Sequence, residues 1–316
     1  MTTSIGKDIK LAASMLQAGE LVAIPTETVY GLAGNALNNE AVSRIYDVKQ
    51  RPFFNPLIIH LPDFSAVTRY VTEVPQDALI LAKQFSPGPL SFLLPKSSLV
   101  PDLVTAGSDR VVVRIPSHPM ALELLSILDF PLAAPSANTF GYVSPVSAEH
   151  VKEGLGGKIS YILDGGPCTV GLESTIVGFE AGEIIIHRLG GITVEDIRKI
   201  TGKDPVLNLL HKRPETPGQL KSHYAPSTKL VVGDVNKLLL ESRDKQIAVI
   251  SFTKNYTGVT RNFVLSPSGN LHEAASNLFS VLREIDSLDI ELILAEKFPE
   301  EGIGRAINDR LGRASS

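Results

Sequence analysis

The residues most suited to holding a phosphate group lie in the segment KQRPFFNPLIIH, residues 49–60. Lys49 and Arg51 stand at the end of a predicted helix, and Asn55 lies in a turn before the apolar strand that contains His60. Arginine offers phosphate oxygens a planar fork, and lysine offers a compact charge. Alternatively, both cations only complement the carbonyl end of the helix, and His60 is a satisfied core histidine.

A second cationic motif, DRVVVRIP, places Arg110 and Arg114 four positions apart on a predicted strand. Alternate residues of a strand share a face, so both guanidinium groups point to the same side. An unpaired buried guanidinium is costly. We therefore expect either acidic side chains or an anionic ligand to satisfy the two arginines.

Two polar loops directly follow short apolar strands. PTETVYGLAG, residues 25–34, is predicted as a strand-to-helix loop with Thr28, and APSANTFGYVSP, residues 134–145, offers Ser136 and Asn138. Loops after strands are preferred ligand sites in α/β folds, and these neutral groups suit phosphate or a hydrated metal ion. The alternative for both loops is a polar turn whose hydroxyls only cap the backbone.

Two further clusters lie nearer the carboxyl end. Ser174 in GLESTIVGF and Arg188 in HRLGG fall on consecutive predicted strands, and we expect a hairpin that lines one cleft. His223 and Tyr224 belong to PGQLKSHYAP, whose composition predicts a plain linker. The aromatic pair instead suggests docking onto the rest of the chain.

Alternating helical and strand-like runs must position these motifs. Apolar strands are predicted at LVAI, LIIHL, LSFLL, VVVRI and PLAA, with helices near residues 7–19, 40–49, 76–85 and 118–128. ISYILD, STIVGF and EIIIHRL then follow with almost no helix between them, which indicates an antiparallel portion. The sequence therefore predicts a mixed parallel and antiparallel α/β sheet.

The domain boundary is predicted where periodicity is lost, between residues 202 and 227. Four prolines in this stretch are typical of an extended connector. We predict a first domain at residues 1–205, a connector at 206–227 and a second domain at 228–316, in which strands and helices alternate again.

Composition and charge exclude several classes of protein. The net charge of −4 provides no global positive field for nucleic acid or anionic lipid. The single cysteine, Cys168, rules out an internal disulfide and a cysteine-based zinc site, and it favours a cytoplasmic location. No signal peptide or membrane span is predicted, and the P-loop, nucleophile-elbow and zincin motifs are absent.

The motifs, in their order along the chain, resemble those of the YrdC-like threonylcarbamoyl-AMP synthases in their two-domain form. The resemblance runs from PTETVYGL through KQRPFFNPLIIH and HRLGG to the closing GIGRAINDRLGRAS. It implies a twisted, open, mixed sheet with flanking helices, a small Rossmann-like C-terminal α/β domain, and a connector lying over the active site. It also implies that ATP and Mg²⁺ activate L-threonine and bicarbonate or CO₂.

The resemblance also assigns residues. It implies that Lys49 and Arg51 are catalytic and that L-threonine is held by Thr28, His60, Arg114, Ala134 and Ser174. It implies that ATP contacts Lys49, Arg51, Asn55, Arg110, Ser136, Asn138, Ser144 and Arg188, with Tyr224 in the covering connector. No direct protein ligand is assigned to Mg²⁺, which is expected to bind through the ATP phosphates.

The product is expected to pass to the machinery that transfers threonylcarbamoyl to tRNA. One alternative is an RNA-binding module without ATP turnover, although the net acidity leaves room for only weak RNA contact. A second alternative is a carbamoyl-transfer enzyme of the same fold.

Overall fold

The computed structural model describes residues 2–209, 216–219, 223–242 and 245–316. The first part of the chain contains eleven strands: β1 (Ser4–Gly6), β2 (Val22–Ile24), β3 (Gly31–Asn35), β4 (Ile58–His60), β5 (Leu90–Pro95), β6 (Arg110–Arg114), β7 (Leu132–Ala133), β8 (Tyr161–Leu163), β9 (Thr175–Glu180), β10 (Glu183–Arg188) and β11 (Val206–Leu207). Its helices are α1 (Ile9–Gln17), α2 (Asn39–Lys49), α3 (Gln76–Phe85), α4 (Asp102–Thr105), α5 (Pro119–Ser126), α6 (Ala148–Leu155) and α7 (Val194–Thr201), with a 3-10 helix at Ser65–Arg69.

These strands form one sheet in the order β1-β8-β2-β3-β7-β4-β6-β5-β9-β10-β11. The sheet contains both parallel pairs, such as β4 with β6, and antiparallel pairs, such as β5 with β6. The predicted mixed sheet is therefore confirmed. Only β9 and β10 of the three last strand-like runs pair with each other, whereas β8 lies near the opposite edge, parallel to β1 and β2.

The prediction of a strand-to-helix loop at residues 25–34 is wrong for residues 31–34. Residues 31–35 form β3, which pairs antiparallel with β2 and β7. Two glycines and an asparagine among five residues give this segment a poor strand propensity, so its pairing on both sides decides its structure. Thr28 therefore lies in a loop between two antiparallel strands.

The second sheet contains β12 (Leu230–Val232), β13 (Ile247–Ser251), β14 (Arg261–Val264) and β15 (Leu292–Ala295), in the order β12-β15-β13-β14, with all pairs parallel. Helix α8 (Val235–Leu240) packs on one face, while α9 (Leu271–Asp286) and α10 (Gly304–Ala314) pack on the other. A parallel sheet with helices on both faces confirms the Rossmann-like α/β prediction.

The second sheet and its helices share one core with the first sheet. Buried side chains of α9 and α10 belong to the same apolar cluster as the first domain's helices and strands. Gly171 approaches α9 so closely that a Cβ there would lie 2.5 Å from Cα of Ser276. The two domains are thus packed without space for an added methyl group at this point.

The predicted connector contains short ordered contacts. It begins with β11, a strand that the loss of periodicity did not predict, and β11 extends the first sheet parallel to β10. Residues 210–215 and 220–222 lie outside the described residues. Among the helices that the structure describes, no helix has the length and apolar character needed to cross a membrane.

Candidate active site

A covered cleft lies where the first sheet, the connector and several loops meet. Nine residues singled out in the sequence line it: Thr28, Arg51, His60, Arg114, Ala134, Ser136, Arg188, His223 and Tyr224. The structure therefore brings together residues from six separate motifs.

Lys49 closes α2 and ties it to the loop after β7. Its Nζ donates to the backbone oxygens of Ser136 and Asn138, both at 2.5 Å, and the side chain is 1 % exposed. Burial, and secondarily the nearby charge of Arg51, hold the pKa of Lys49 well below its usual value. Lys49 therefore lies behind the cleft wall rather than in it.

Arg51 enters the cleft from a turn stabilised by its own side chain. Nε donates to the backbone oxygen of Asn55 at 3.0 Å, and Nη2 donates to Asn55 Oδ1 at 2.8 Å and to the oxygen of Pro56 at 2.7 Å. Burial lowers the pKa of Arg51 to about 10, so it remains a cation at neutral pH. The amide nitrogen of Asn55 is buried without a hydrogen-bond partner, and a ligand could accept from it.

Arg114 and His60 face the cleft from neighbouring strands. Nη2 of Arg114 lies 2.8 Å from Oε1 of Glu27, so an acidic side chain neutralises this arginine, although neither atom makes a hydrogen bond within the described part of the chain. His60 is 2 % exposed, and its Nδ1 has no hydrogen-bond partner. Burial, and then the charge of Arg114, lower the pKa of His60 to about 3, so the imidazole is neutral. The core-histidine alternative describes its burial but leaves Nδ1 unsatisfied.

Arg110 is not brought to the cleft. It starts β6, while Arg114 ends the strand, and its Nη1 lies 2.6 Å from Oε1 of Glu180 on β9. The expected common face therefore leads to two different environments, each with its own carboxylate. The sequence could not identify Glu180 or Glu27 as the partners of these arginines, because the order of the strands in the sheet decides which acid lies near which arginine.

Arg188 and Ser174 meet across the predicted hairpin. Nε of Arg188 donates to the backbone oxygen of Ser174 and Nη2 donates to its hydroxyl, both at 3.0 Å. The same hydroxyl lies 2.7 Å from that of Ser91 on β5. Burial lowers the pKa of Arg188 to about 10, and it remains charged at neutral pH. The predicted hairpin is present as β9 and β10, but of these two residues only Arg188 lines the cleft.

Glu173, which sequence reasoning passed over, is an acidic residue in the cleft wall. One of its oxygens accepts from the Ser144 hydroxyl at 2.6 Å, so the structure places Ser144 behind the carboxylate rather than on the cleft surface. In the motif GLESTIV this acid directly precedes Ser174, and that position was the signal that could have identified it. The sequence alone did not explain why an acidic side chain would lie in a site predicted to bind anions.

Asn138 offers a neutral oxygen beside Ser136. Its amide nitrogen donates to the backbone oxygens of Thr139 and Tyr142, each at 2.8 Å, which fixes the side chain. Its Oδ1 is buried without a partner. Neutral oxygens of this kind suit a hydrated Mg²⁺. Among the described residues no group of three or more histidine, cysteine or acidic side chains could hold a metal ion directly.

Described residues of the connector cover the cleft. Tyr224 is 1 % exposed, and its ring contacts that of His223 at 4.0 Å between centroids. Tyr224 has a φ of 65°, an unusual conformation for a large side chain. Gly218 has a φ of +88°, and a Cβ there would lie 2.9 Å from Arg188 Cδ. The cover is therefore packed directly on a cation of the cleft.

Comparisons with known proteins agree with this architecture. A family profile described as telomere recombination (Sua5, YciO and YrdC) matches residues 14–190, and one described as the C-terminal domain of threonylcarbamoyl-AMP synthase matches residues 192–316. The threonylcarbamoyl-AMP synthase of Pyrococcus abyssi is 39% identical over 97% of this chain and 94% of its own length. That of Bacillus subtilis is 39% identical over 97% of this chain and 92% of its own length.

A solved structure of Pyrococcus abyssi Sua5 complexed with L-threonine superposes with a TM-score of 0.91 at 39% identity, covering 99% of this chain and 97% of that one. Similarity of fold and sequence thus extends over both domains. The chain belongs to the Sua5/YciO/YrdC family, in the two-domain form that carries the threonylcarbamoyl-AMP synthase C-terminal domain.

Proposed function

We propose that this protein is a threonylcarbamoyl-AMP synthase, which converts L-threonine, bicarbonate or CO₂, and ATP into threonylcarbamoyl-AMP and pyrophosphate. The observation that carries the proposal is the covered cleft, whose lining contains three buried arginines, Arg51, Arg114 and Arg188, against one carboxylate, Glu173. A site of this charge favours an anionic ligand. Relatives of nearly the same length carry the synthase name, and one was solved with L-threonine.

The threonine subsite is proposed at the end of the cleft formed by β4 and β6, with Thr28, His60, Arg114, Ala134 and Ser174. Arg114 pairs with the substrate carboxylate, a geometry that guanidinium groups favour. The unpartnered Nδ1 of neutral His60 then has a hydrogen-bond partner on the amino acid.

The nucleotide subsite is proposed at the other end of the cleft, with Lys49, Arg51, Asn55, Ser136, Asn138, Ser144, Arg188 and Tyr224. The two orphaned amide atoms, Asn55 Nδ2 and Asn138 Oδ1, support a polar occupant there. Mg²⁺ brought by ATP would neutralise phosphate charge, and Ser136 and Asn138 are the oxygen donors suited to its hydration shell. Arg110 stays a proposed ATP contact that would require release from Glu180.

The proposed reaction is a nucleotidyl transfer. The threonine amine adds to CO₂ and loses a proton, which forms a carbamate, and a carbamate oxygen then attacks the α-phosphorus of ATP. The bond from that phosphorus to the bridging oxygen breaks, and pyrophosphate leaves. Arg51 and Arg188 neutralise the developing phosphate charge, and no enzyme nucleophile is needed. Lys49 would join them only after releasing the backbone oxygens of Ser136 and Asn138.

The covering connector has a direct chemical use in this proposal. A carboxylic–phosphoric mixed anhydride is hydrolysed by water, and a closed cleft excludes water from it. The product would then be transferred to the tRNA-modifying machinery of the cytoplasm. RNA binding without turnover fits the structure less well, because the three arginines are buried in the cleft rather than spread over an exposed surface.

The proposal is tested by incubating the protein with ATP, Mg²⁺, bicarbonate and one amino acid at a time. Pyrophosphate release is followed, and the adenylate is identified by mass. We expect release that requires threonine and bicarbonate. Release without threonine, or none at all, would contradict the proposal, and transfer of a carbamoyl group from carbamoyl phosphate would favour the carbamoyl-transfer alternative.

A further inference from the structure

The last helix of the second domain places one arginine beneath the cleft of the first. Arg310 on α10 is 1 % exposed and uses all three nitrogens of its guanidinium group. Nε donates to Glu173 Oε2 at 2.9 Å, Nη2 to the backbone oxygen of Leu189 at 2.8 Å, and Nη1 to Asp309 Oδ2 at 2.7 Å. Two of these three partners belong to the first domain.

Arg310 sets the charge state of the carboxylate in the cleft wall. Burial acts to raise the pKa of Glu173, but the charges of Arg310 and then Arg188, with the Ser144 hydroxyl, hold it below its usual value. Glu173 is therefore an anion that is already paired. Without Arg310, an uncompensated negative charge would remain in a cleft that must accept a polyanion.

Arg310 also contacts the cover of the cleft. Its guanidinium carbon lies 5.0 Å from the ring centroid of Tyr224, a cation–π distance. Phe279 on α9 stacks on the same tyrosine with 5.6 Å between centroids. The second domain thus holds a ring whose backbone adopts an unusual φ of 65°.

We propose that Arg310 is a positioning residue of the active site, by which the second domain keeps Glu173 paired and Tyr224 seated on the cleft. This inference rests on the proposed function. It gives the second domain a defined part in the reaction. Arg310 does not touch the substrates itself and acts through these two side chains.

The experiment compares two variants. Arg310→Met keeps a long, unbranched side chain but removes its charge, whereas Arg310→Lys keeps the positive charge but lacks the planar guanidinium group. Arg305→Met is the matched control, because Arg305 lies on the same helix and pairs with Glu195 at the surface. For Arg310→Met we expect kcat/KM for ATP to fall at least tenfold per folded molecule, with partial recovery in Arg310→Lys. Arg305→Met should remain within twofold of the unaltered protein.

A pH profile separates positioning from simple loss of fold. In Arg310→Met the pH profile of kcat/KM for ATP should shift so that the defect shrinks as the pH falls, because protonation of Glu173 removes the charge that has lost its cation. The double variant Glu173→Gln/Arg310→Met should lack that shift. An Arg310→Met profile parallel to that of the unaltered protein, or turnover within twofold of it, would overturn the proposal.

Hydrogen exchange keeps the inference testable apart from the reaction. In the substrate-free protein, the peptide that contains Tyr224 should exchange at least tenfold faster in Arg310→Met than in Arg305→Met. Equal exchange would overturn the proposal. If the unaltered protein shows no threonine-dependent pyrophosphate release, the proposed function fails, whereas the exchange result still reports on Arg310.

Discussion

His60 and Arg114 are register partners on the parallel strands β4 and β6, and both side chains face the covered cleft. The charge of Arg114 adds to the effect of burial in keeping His60 neutral. The cation itself is held by Glu27 at 2.8 Å. One strand pairing therefore places a neutral imidazole and a paired cation side by side.

The first prediction concerns pH and stability. Two buried histidines, His60 and His223, have pKa values lowered to about 3, largely by burial. The unfolded chain binds a proton at each near pH 6.5, whereas the folded chain does not. Stability should therefore fall as the pH drops below about 6.5, and this loss should continue until the folded groups titrate near pH 3.

The size of this loss is measurable by urea unfolding. Between pH 7.0 and 5.5 each histidine should remove about 1 kcal/mol from the free energy of unfolding. His60→Gln should therefore show a shallower pH dependence than the unaltered protein. His272→Gln, on the exposed side of α9, is the control and should keep the full dependence. Parallel curves for His60→Gln and the unaltered protein would contradict the prediction.

The second prediction concerns Arg51. Its fork holds Asn55 and Pro56, and the group also lines the cleft. Arg51→Ala should reduce kcat/KM for ATP about 100-fold or more, because a preorganised cation and the Asn55 turn are both lost. Arg44→Ala, on the exposed side of the preceding helix α2, should leave it unchanged. Circular dichroism checks the fold, and near-normal turnover in Arg51→Ala would defeat the assignment.

Most of the fold could be predicted because its strands are continuous apolar runs and its longer helices are amphipathic. Strand β3 could not be predicted, since its glycines give it a low strand propensity and its pairing with β2 and β7 imposes the extended conformation. Helix α7 was not predicted, although the Thr193 to Asp196 capping box that starts it was a usable signal. The short parallel strand β11 has no local pattern that separates it from a linker.

The arginines that line the cleft were visible in the sequence, but Arg310 and the acidic partners were not. Arg310 and Glu173 are 137 positions apart, and only the packing of the second domain on the first brings them together. Glu27 and Arg114 are also distant in sequence. They meet because the loop between β2 and β3 packs beside the end of β6. Residue type identifies a candidate ligand group, whereas the tertiary fold determines which charge is already satisfied.

The third prediction concerns the cover of the cleft. In Gly218→Ala the new Cβ would lie 2.9 Å from Arg188 Cδ and 3.0 Å from the Tyr224 hydroxyl, so one of these groups must move. We expect kcat/KM to fall about tenfold or more, because the cover no longer seats. Gly258→Ala is a matched control, since Gly258 also has a positive φ, of +73°, and open space around its Cβ position.

Both glycine variants should lose about 1 kcal/mol of stability from their backbone conformation. Only Gly218→Ala should also yield more AMP, the hydrolysis product, relative to intact adenylate during turnover, as measured by mass spectrometry. Equal kinetic constants for the two variants would show that the contact with Arg188 and Tyr224 has no part in closing the cleft.

The final prediction separates the structural and binding parts of Arg114. Arg114→Gln leaves the carboxylate of Glu27 buried without its cation, and we expect a loss of about 3–5 kcal/mol in the free energy of unfolding. Adding Glu27→Gln removes that unpaired charge and should restore most of the stability. Because Arg114 is the proposed partner of the threonine carboxylate, the double variant should still have a KM for threonine raised about tenfold or more. The KM for ATP should change much less, since the nucleotide is proposed to lie beside Arg51 and Arg188. Recovery of threonine KM together with stability would instead mean that Arg114 only neutralises Glu27.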